Sequence, residues 1–204
     1  AGNPLHLHII ARLLLARPDR PIEEIAHALA TSSDVSGLVR LQLAALPSNA
    51  QNMLALLSVF GDGIEAEMAI DLSSKAWQPE DVLQLLHQSG FLQVELHTYG
   101  ARLFFSPPAL RLAVYETLSR RNRLRVHDRA AIYLHQKLQR QSGELDPNER
   151  RLLARHFEAL GRHELALEQF KFLYQRAFSS FQYQEAQDLL AHMEACAGQL
   201  ELPS

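Results

Sequence analysis

The sequence predicts an all-α protein carrying one small β-hairpin. Two observations predict it. Apolar residues recur at helical spacing along almost the whole chain, as in Leu5, Ile9, Ile10, Leu13 and Leu14, the signature of helices with one buried face. Convincing period-two alternation occurs at one place, residues 91–96, answered by residues 101–105. With 204 residues and 47% hydrophobic content, the chain can fill one large core or two to three small ones.

The first helices are expected over residues 5–15, 21–30 and 35–46. Pro4 suits the first turn of a helix, where its missing N–H has no role and its fixed φ is already helical. A Gly2-Asn3-Pro4-Leu5 turn already committed to a helix suggests a chain cut from something larger. Pro18-Asp19-Arg20-Pro21 stops the first helix and starts the second, whose Glu23 and Glu24 lie where the helix dipole favours acids. Thr31-Ser32-Ser33-Asp34 caps the third, and Pro47 marks a boundary. Three shorter helices follow over 49–60, 65–76 and 79–89, parted by Gly61-Asp62-Gly63 and by Trp77-Gln78. The hairpin turns at His97-Thr98-Tyr99-Gly100, and Ser106-Pro107-Pro108 starts a helix reaching Leu118. Three helices and then a hairpin is the order of a winged helix.

Beyond residue 119 the strand signals vanish. Residues 121–141 form a long amphipathic helix, with Leu124, Ala131, Leu134 and Leu138 expected on its inner face. A polar break over 142–147 precedes helices at 148–160, 162–179 and 183–197. Arg162-His163-Glu164-Leu165-Ala166-Leu167 and Gln182-Tyr183-Gln184-Glu185-Ala186-Gln187 align at a spacing of twenty. Each places a small Ala where neighbouring helices approach closely, the pattern of a helical solenoid of one and a half units. The expected organisation is a helical lead-in over 1–46, a winged helix over 47–118 and a helical-repeat domain over 119–204.

Bulk properties narrow the function. A net charge of −3 advertises neither nucleic acid nor an anionic membrane. The single cysteine, Cys196, rules out an internal disulfide and fits a reducing compartment. No apolar run approaches the ~20 residues that span a bilayer, so a soluble cytoplasmic protein is expected.

Taken together, Gly2-Asn3-Pro4-Leu5, a helical linker, Leu46-Pro47 opening three helices and a hairpin, the segment 105–115, and a tetratricopeptide-like array resemble the signal-transduction ATPases with numerous domains (STAND). The subgroup most similar is that of the bacterial large LuxR-type regulators, which place an ATPase core before a winged helix and helical repeats. The resemblance covers nearly the whole chain and rests on order and spacing. It implies that the Gly-x-Pro turn, Gly2 and Pro4, lies near the adenine of a nucleotide. In the family a Phe-Arg-His-Ala-Leu-type segment commonly follows the wing, and its His can approach the phosphates. Here Pro107 stands at that His position and can neither carry charge nor donate. No Gly-x-x-x-x-Gly-Lys-Ser/Thr loop occurs in the chain, so ATP or ADP would be held by an upstream module. The segment itself is expected to hold no cofactor and to catalyse nothing.

Other candidate sites come from the residues alone. The helix in the recognition position, residues 79–89, lacks Lys and Arg and opens with Glu80 and Asp81. Gln84, His87 and Gln88 could read base edges, but nothing beside them would anchor phosphates, so DNA contact is not expected. Arg111, Arg120, Arg121, Arg123, Arg125 and Arg129 crowd one segment, opposed by Glu116 and Asp128. Of these, Arg121, Arg125 and Arg129 recur every fourth residue as a stripe, read either as a solvated face or as a partner- or anion-binding face. The ten histidines do not fall at metal-ligand spacing: His6 and His8 point apart, His127 and His135 are too distant, and His156 and His163 straddle a helix break. Cys196 reads as a small buried apolar residue. The aromatics Phe157, Phe170, Phe172, Tyr174, Phe178, Phe181 and Tyr183 are expected mostly in the core between helices, with one or two serving as peptide anchors. The expected function is a non-catalytic regulatory segment whose repeats receive a protein or small-molecule signal and whose winged helix holds an upstream ATPase domain closed. A stand-alone winged-helix DNA binder and a protein-binding scaffold without nucleotide are the alternatives.

Overall fold

The computed structural model describes residues 35–61, 63–73, 78–98, 100–140 and 146–200. The two helices read before residue 35 lie outside the described residues. The protein is mostly helical with one small antiparallel sheet. It divides into two compact units, Ala1–Arg120 and Arg121–Ser204.

The first unit runs α1 (Val35–Ala44), α2 (Ser48–Leu57), β1 (Ile64–Glu65), α3 (Ala66–Leu72), α4 (Pro79–Gln88), β2 (Leu92–His97), β3 (Gly100–Phe105) and α5 (Ala109–Thr117). In α2, Ala50, Met53, Leu54 and Leu57 share a face at i, i+3, i+4 and i+7 and are fully buried. Leu110, Ala113 and Val114 give α5 its buried side, against which α1 packs. Residues 35–44 therefore share the first unit with the elements that follow Pro47.

One strand went unread in the sequence. Ile64 and Glu65 pair with Leu103 and Arg102, making a three-stranded sheet in the order β1-β3-β2. Two residues are too few to show alternation, and their pairing partner lies far along the chain. Gly63 makes the approach possible: its φ is +78°, and a Cβ there would meet the Phe104 ring at 2.8 Å. The hairpin is tighter than the sequence suggests, because His97 and Gly100 themselves pair.

Burial on the hairpin is one-sided by strand. On the central strand β3, Leu103 and Phe105 are buried in alternation. The edge strand β2 buries Leu92 alone, leaving Val94 at 38% and Leu96 at 86% exposure. Its period-two pattern predicts an inner face that the helices do not cover.

The second unit contains α6 (Arg120–Arg140), α7 (Pro147–Ala159), α8 (His163–Ser179) and α9 (Tyr183–Leu200). Asp146 caps α7 by accepting the Asn148 N–H at 2.8 Å, with Pro147 in the first turn. The inner face of α6 is Val126, Ala130, Ala131 and Leu134. Leu138 is half-buried and Leu124 is 40% exposed. The contacts Lys137–Glu149 and His127–His156 set α6 and α7 antiparallel.

The spacing of twenty read from the sequence recurs in the backbone. At the end of α7, Gly161 has a φ of +70°, and Arg162 N–H donates to the Phe157 carbonyl at 2.9 Å. At the end of α8, Phe181 has a φ of +60°, and Gln182 N–H donates to the Ala177 carbonyl at 2.9 Å. Both helices end in the same left-handed cap. The aligned Ala166 and Ala186 are both buried, as close helix approach requires. Phe170, fully buried, centres the face Ala166, Gln169, Phe170, Leu173 and Ala177 of α8, which packs against both α7 and α9. Burying such a ring stabilises the fold by roughly 1.5–3 kcal/mol.

Candidate functional site

Side chains of α7 and α9 face one another across α8 and line an open cleft of about 800 Å³. α7 contributes Arg151 and Arg155, one turn apart on the same face. α9 contributes Glu185, Asp188 and His192. Arg151 and Glu185 are ion-paired across the cleft, and His192 Nδ1 lies 3.3 Å from Glu158 Oε1. The two contacts advance together along both helices, so α7 and α9 run parallel. Leu189 and Phe170 form an apolar floor, and the His192 ring stacks on Phe170 with centroids 5.0 Å apart. Arg155 is exposed and has no ion-pair partner among the described residues. Asp188, also exposed, accepts a 3.4 Å contact from the Gln184 amide, and has no ion-pair partner among the described residues. The cleft went unread in the sequence because its walls come from α7 and α9, which do not follow one another, and its floor draws Phe170 from the helix between them.

Near it lies a histidine pair that sequence spacing also missed. His127 Nδ1 and His156 Nδ1 are 3.0 Å apart, so one ring donates and the other accepts. His156 is 1% exposed. Burial first, and the neighbouring His127 second, lower its pKa to about 3, and burial also lowers that of His127. These rings sit in separate helices, 29 residues apart in sequence. Sequence spacing sets His127 against His135 and His156 against His163 instead. Among the described residues, no three His, Cys, Asp or Glu side chains gather where one metal ion could reach them.

Cys196 is buried, as expected. Its thiol lies 3.7 Å from Glu158 Oε1. Burial, the Glu158 charge and that hydrogen bond push its pKa up to about 11, which keeps it a thiol rather than the reactive thiolate.

Gly2 and Pro4 lie outside the described residues, as do His6 and His8. Pro107 stands in the turn before α5, where its carbonyl accepts the Leu110 N–H at 2.9 Å. Arg121, Arg125 and Arg129 are all exposed on α6, on the side away from Val126, Ala130 and Leu134. The wider cluster read from sequence is divided: Arg111 donates to the Ser58 carbonyl at 3.1 Å within the first unit. Asp128, read as opposing the cluster, instead pairs with Arg162 at 2.7 Å.

On α4 the outward residues are Glu80, Asp81, Gln84, His87 and Gln88. His87 was a candidate base reader, but its Nδ1 is 3.1 Å from the Leu92 carbonyl, which ties that nitrogen to the fold. The aromatic set departs from expectation. Phe157 and Phe170 are buried, whereas Phe172, Phe178, Phe181 and Tyr183 are 44%, 55%, 75% and 60% exposed. Phe172 lies under the Arg150 guanidinium, 3.8 Å from ring centroid to carbon. Tyr174, Phe178, Tyr183 and Phe181 form a chain of ring contacts at the α8–α9 corner, with centroids 5.9–6.2 Å apart.

No described helix is long and apolar enough to cross a membrane. Compared with models of known protein families and with curated proteins, the chain matches none.

Proposed function

We propose that this chain is a non-catalytic regulatory and protein-interaction segment of a signal-transduction ATPase of the kind found in bacterial transcription regulators. The first unit acts as a joint against an upstream nucleotide domain, and the second receives the signal. The observation that carries this reading is the outward face of α4. The element order α2-β1-α3-α4-β2-β3, with the sheet ordered β1-β3-β2, supports reading α4 as the counterpart of a winged helix's recognition helix. Its face presents two acids in the first turn and neither Lys nor Arg, a surface poor in phosphate anchors that suits a protein neighbour.

The exposed rings at the α8–α9 corner support protein interaction by the second unit, since aromatic clusters of this kind anchor partners. ATP or ADP would sit upstream, near Gly2 and Pro4, and the chain works in the cytoplasm. A signal bound by the second unit would shift an open–closed equilibrium only through different affinity for the two states. The scaffold reading, without nucleotide, draws on the lack of a phosphate-binding loop within the chain.

The test uses the protein extended at its N-terminus, with hydrogen exchange followed in ATP and in ADP. The expected result is an upstream phosphate-binding loop and nucleotide-dependent protection within residues 48–117. An extended protein with no such loop, or with identical exchange in both nucleotides, overturns the ATPase assignment and leaves the scaffold.

A further inference from the structure

The charges lining the cleft of the second unit are unevenly satisfied. At one end Arg151 and Glu185 neutralise each other across the gap. At the other, His192 is held by Glu158. Between these ends stand one guanidinium and one carboxylate that the fold leaves without an ionic partner among the described residues, Arg155 from α7 and Asp188 from α9. Both are exposed, so neither is a buried charge that the fold must compensate.

We propose that this cleft binds a short peptide with free termini, its carboxylate on Arg155 and its ammonium on Asp188. The inference deepens the proposed role of the second unit as signal receiver and rests on it. A ligand of single charge, of either sign, would satisfy one wall and face an unpaired like charge on the other, a juxtaposition that counts against binding. A zwitterion satisfies both. Arg155 offers a planar fork of N–H donors that matches a carboxylate in bidentate fashion. Asp188 offers the acceptor an ammonium requires.

Size separates a peptide from a free amino acid. The open cleft, about 800 Å³, has the volume of pockets that take a drug-sized ligand, roughly 300–1,000 Å³. A single amino acid would leave most of it to water. The floor decides the middle of the ligand: Leu189 and Phe170 are apolar, and the His192 ring is fixed by its stack on Phe170 and its contact with Glu158. An uncharged apolar side chain between the two termini fits that strip.

Isothermal titration of the chain with Ala-Leu-Ala tests this, beside its N-acetylated form, its C-terminal amide, the doubly capped peptide and free alanine. Free Ala-Leu-Ala is expected to bind, with each cap weakening it about tenfold and alanine binding more weakly than the tripeptide. Arg155→Gln should weaken the free peptide and erase the difference between acid and amide. Asp188→Asn should do the same for acetylation. No binding of Ala-Leu-Ala at millimolar concentration overturns the proposal, as does equal affinity for the free and doubly capped peptides. Alanine binding as tightly as the tripeptide overturns the peptide assignment. The capped peptides need no mutant to fold, and circular dichroism checks the variants. Failure here leaves the nucleotide-exchange test of the ATPase reading unaffected, since that test reads the first unit.

Discussion

His156 is the residue at which burial and chemistry are most opposed. Its ring is closed off from solvent and shares one hydrogen bond with His127. With a native pKa of about 3 against 6.5 in the unfolded chain, it stays neutral in the fold across the acid range. Between pH 6.5 and 3 the unfolded state therefore binds a proton that the native state refuses. The stability this contributes is fully present above pH 6.5 and is lost as pH falls, at up to about 1.4 kcal/mol per pH unit. Lowered by burial, His127 adds in the same direction. Urea unfolding between pH 6.5 and 5, where few carboxylates titrate, should show this slope. The His156→Leu variant should flatten it. An unchanged slope would place the acid sensitivity elsewhere.

At the scale of elements, the α8–α9 turn carries a cost that the α7–α8 turn avoids. Both use a left-handed cap, but Phe181 stands where its counterpart is Gly161. A side chain in that conformation costs about 1–2 kcal/mol, partly offset because glycine loses about 0.5–1 kcal/mol more entropy on folding. Phe181→Gly should therefore raise stability by about 0.5–1 kcal/mol, read from the denaturant midpoint. A loss of more than about 1 kcal/mol would show that the ring, at 75% exposure, holds the fold after all. The same turn shows what periodicity reveals and what it cannot. The spacing of twenty, the paired alanines and nearly every helix of the described residues were legible, because they depend on local pattern; the Asp146 cap was not, since residues 142–147 read only as a polar break. β1 was not, since a two-residue strand is defined by its partner. The inner face of α6 is Val126, Ala130, Ala131 and Leu134 and leaves Leu124 exposed, since periodicity names a face without fixing how far along the helix a neighbour covers it. The aromatics of α8 were misjudged because helical spacing identifies a face without saying whether anything lies against it. The cleft is the extreme case: Arg155 and Asp188 are unremarkable in sequence and acquire meaning only when α8 sets α7 beside α9.

At the scale of the whole molecule, the two units divide the proposed labour, one as a joint and one as a receiver. In the first, the α4 face is acidic and one nitrogen of His87 is engaged. Arg121, Arg125 and Arg129 on α6 form the exposed basic stripe that could still draw in a phosphate backbone. Fluorescence anisotropy of the chain against mixed-sequence duplex DNA, titrated from low to physiological salt, separates the two readings. The regulatory account predicts no binding at physiological salt, and at low salt at most a weak association abolished by reversing the three arginines to glutamate. Tight binding that persists at physiological salt, with a steep slope reporting several phosphate contacts, would contradict it and make the chain a nucleic-acid binder.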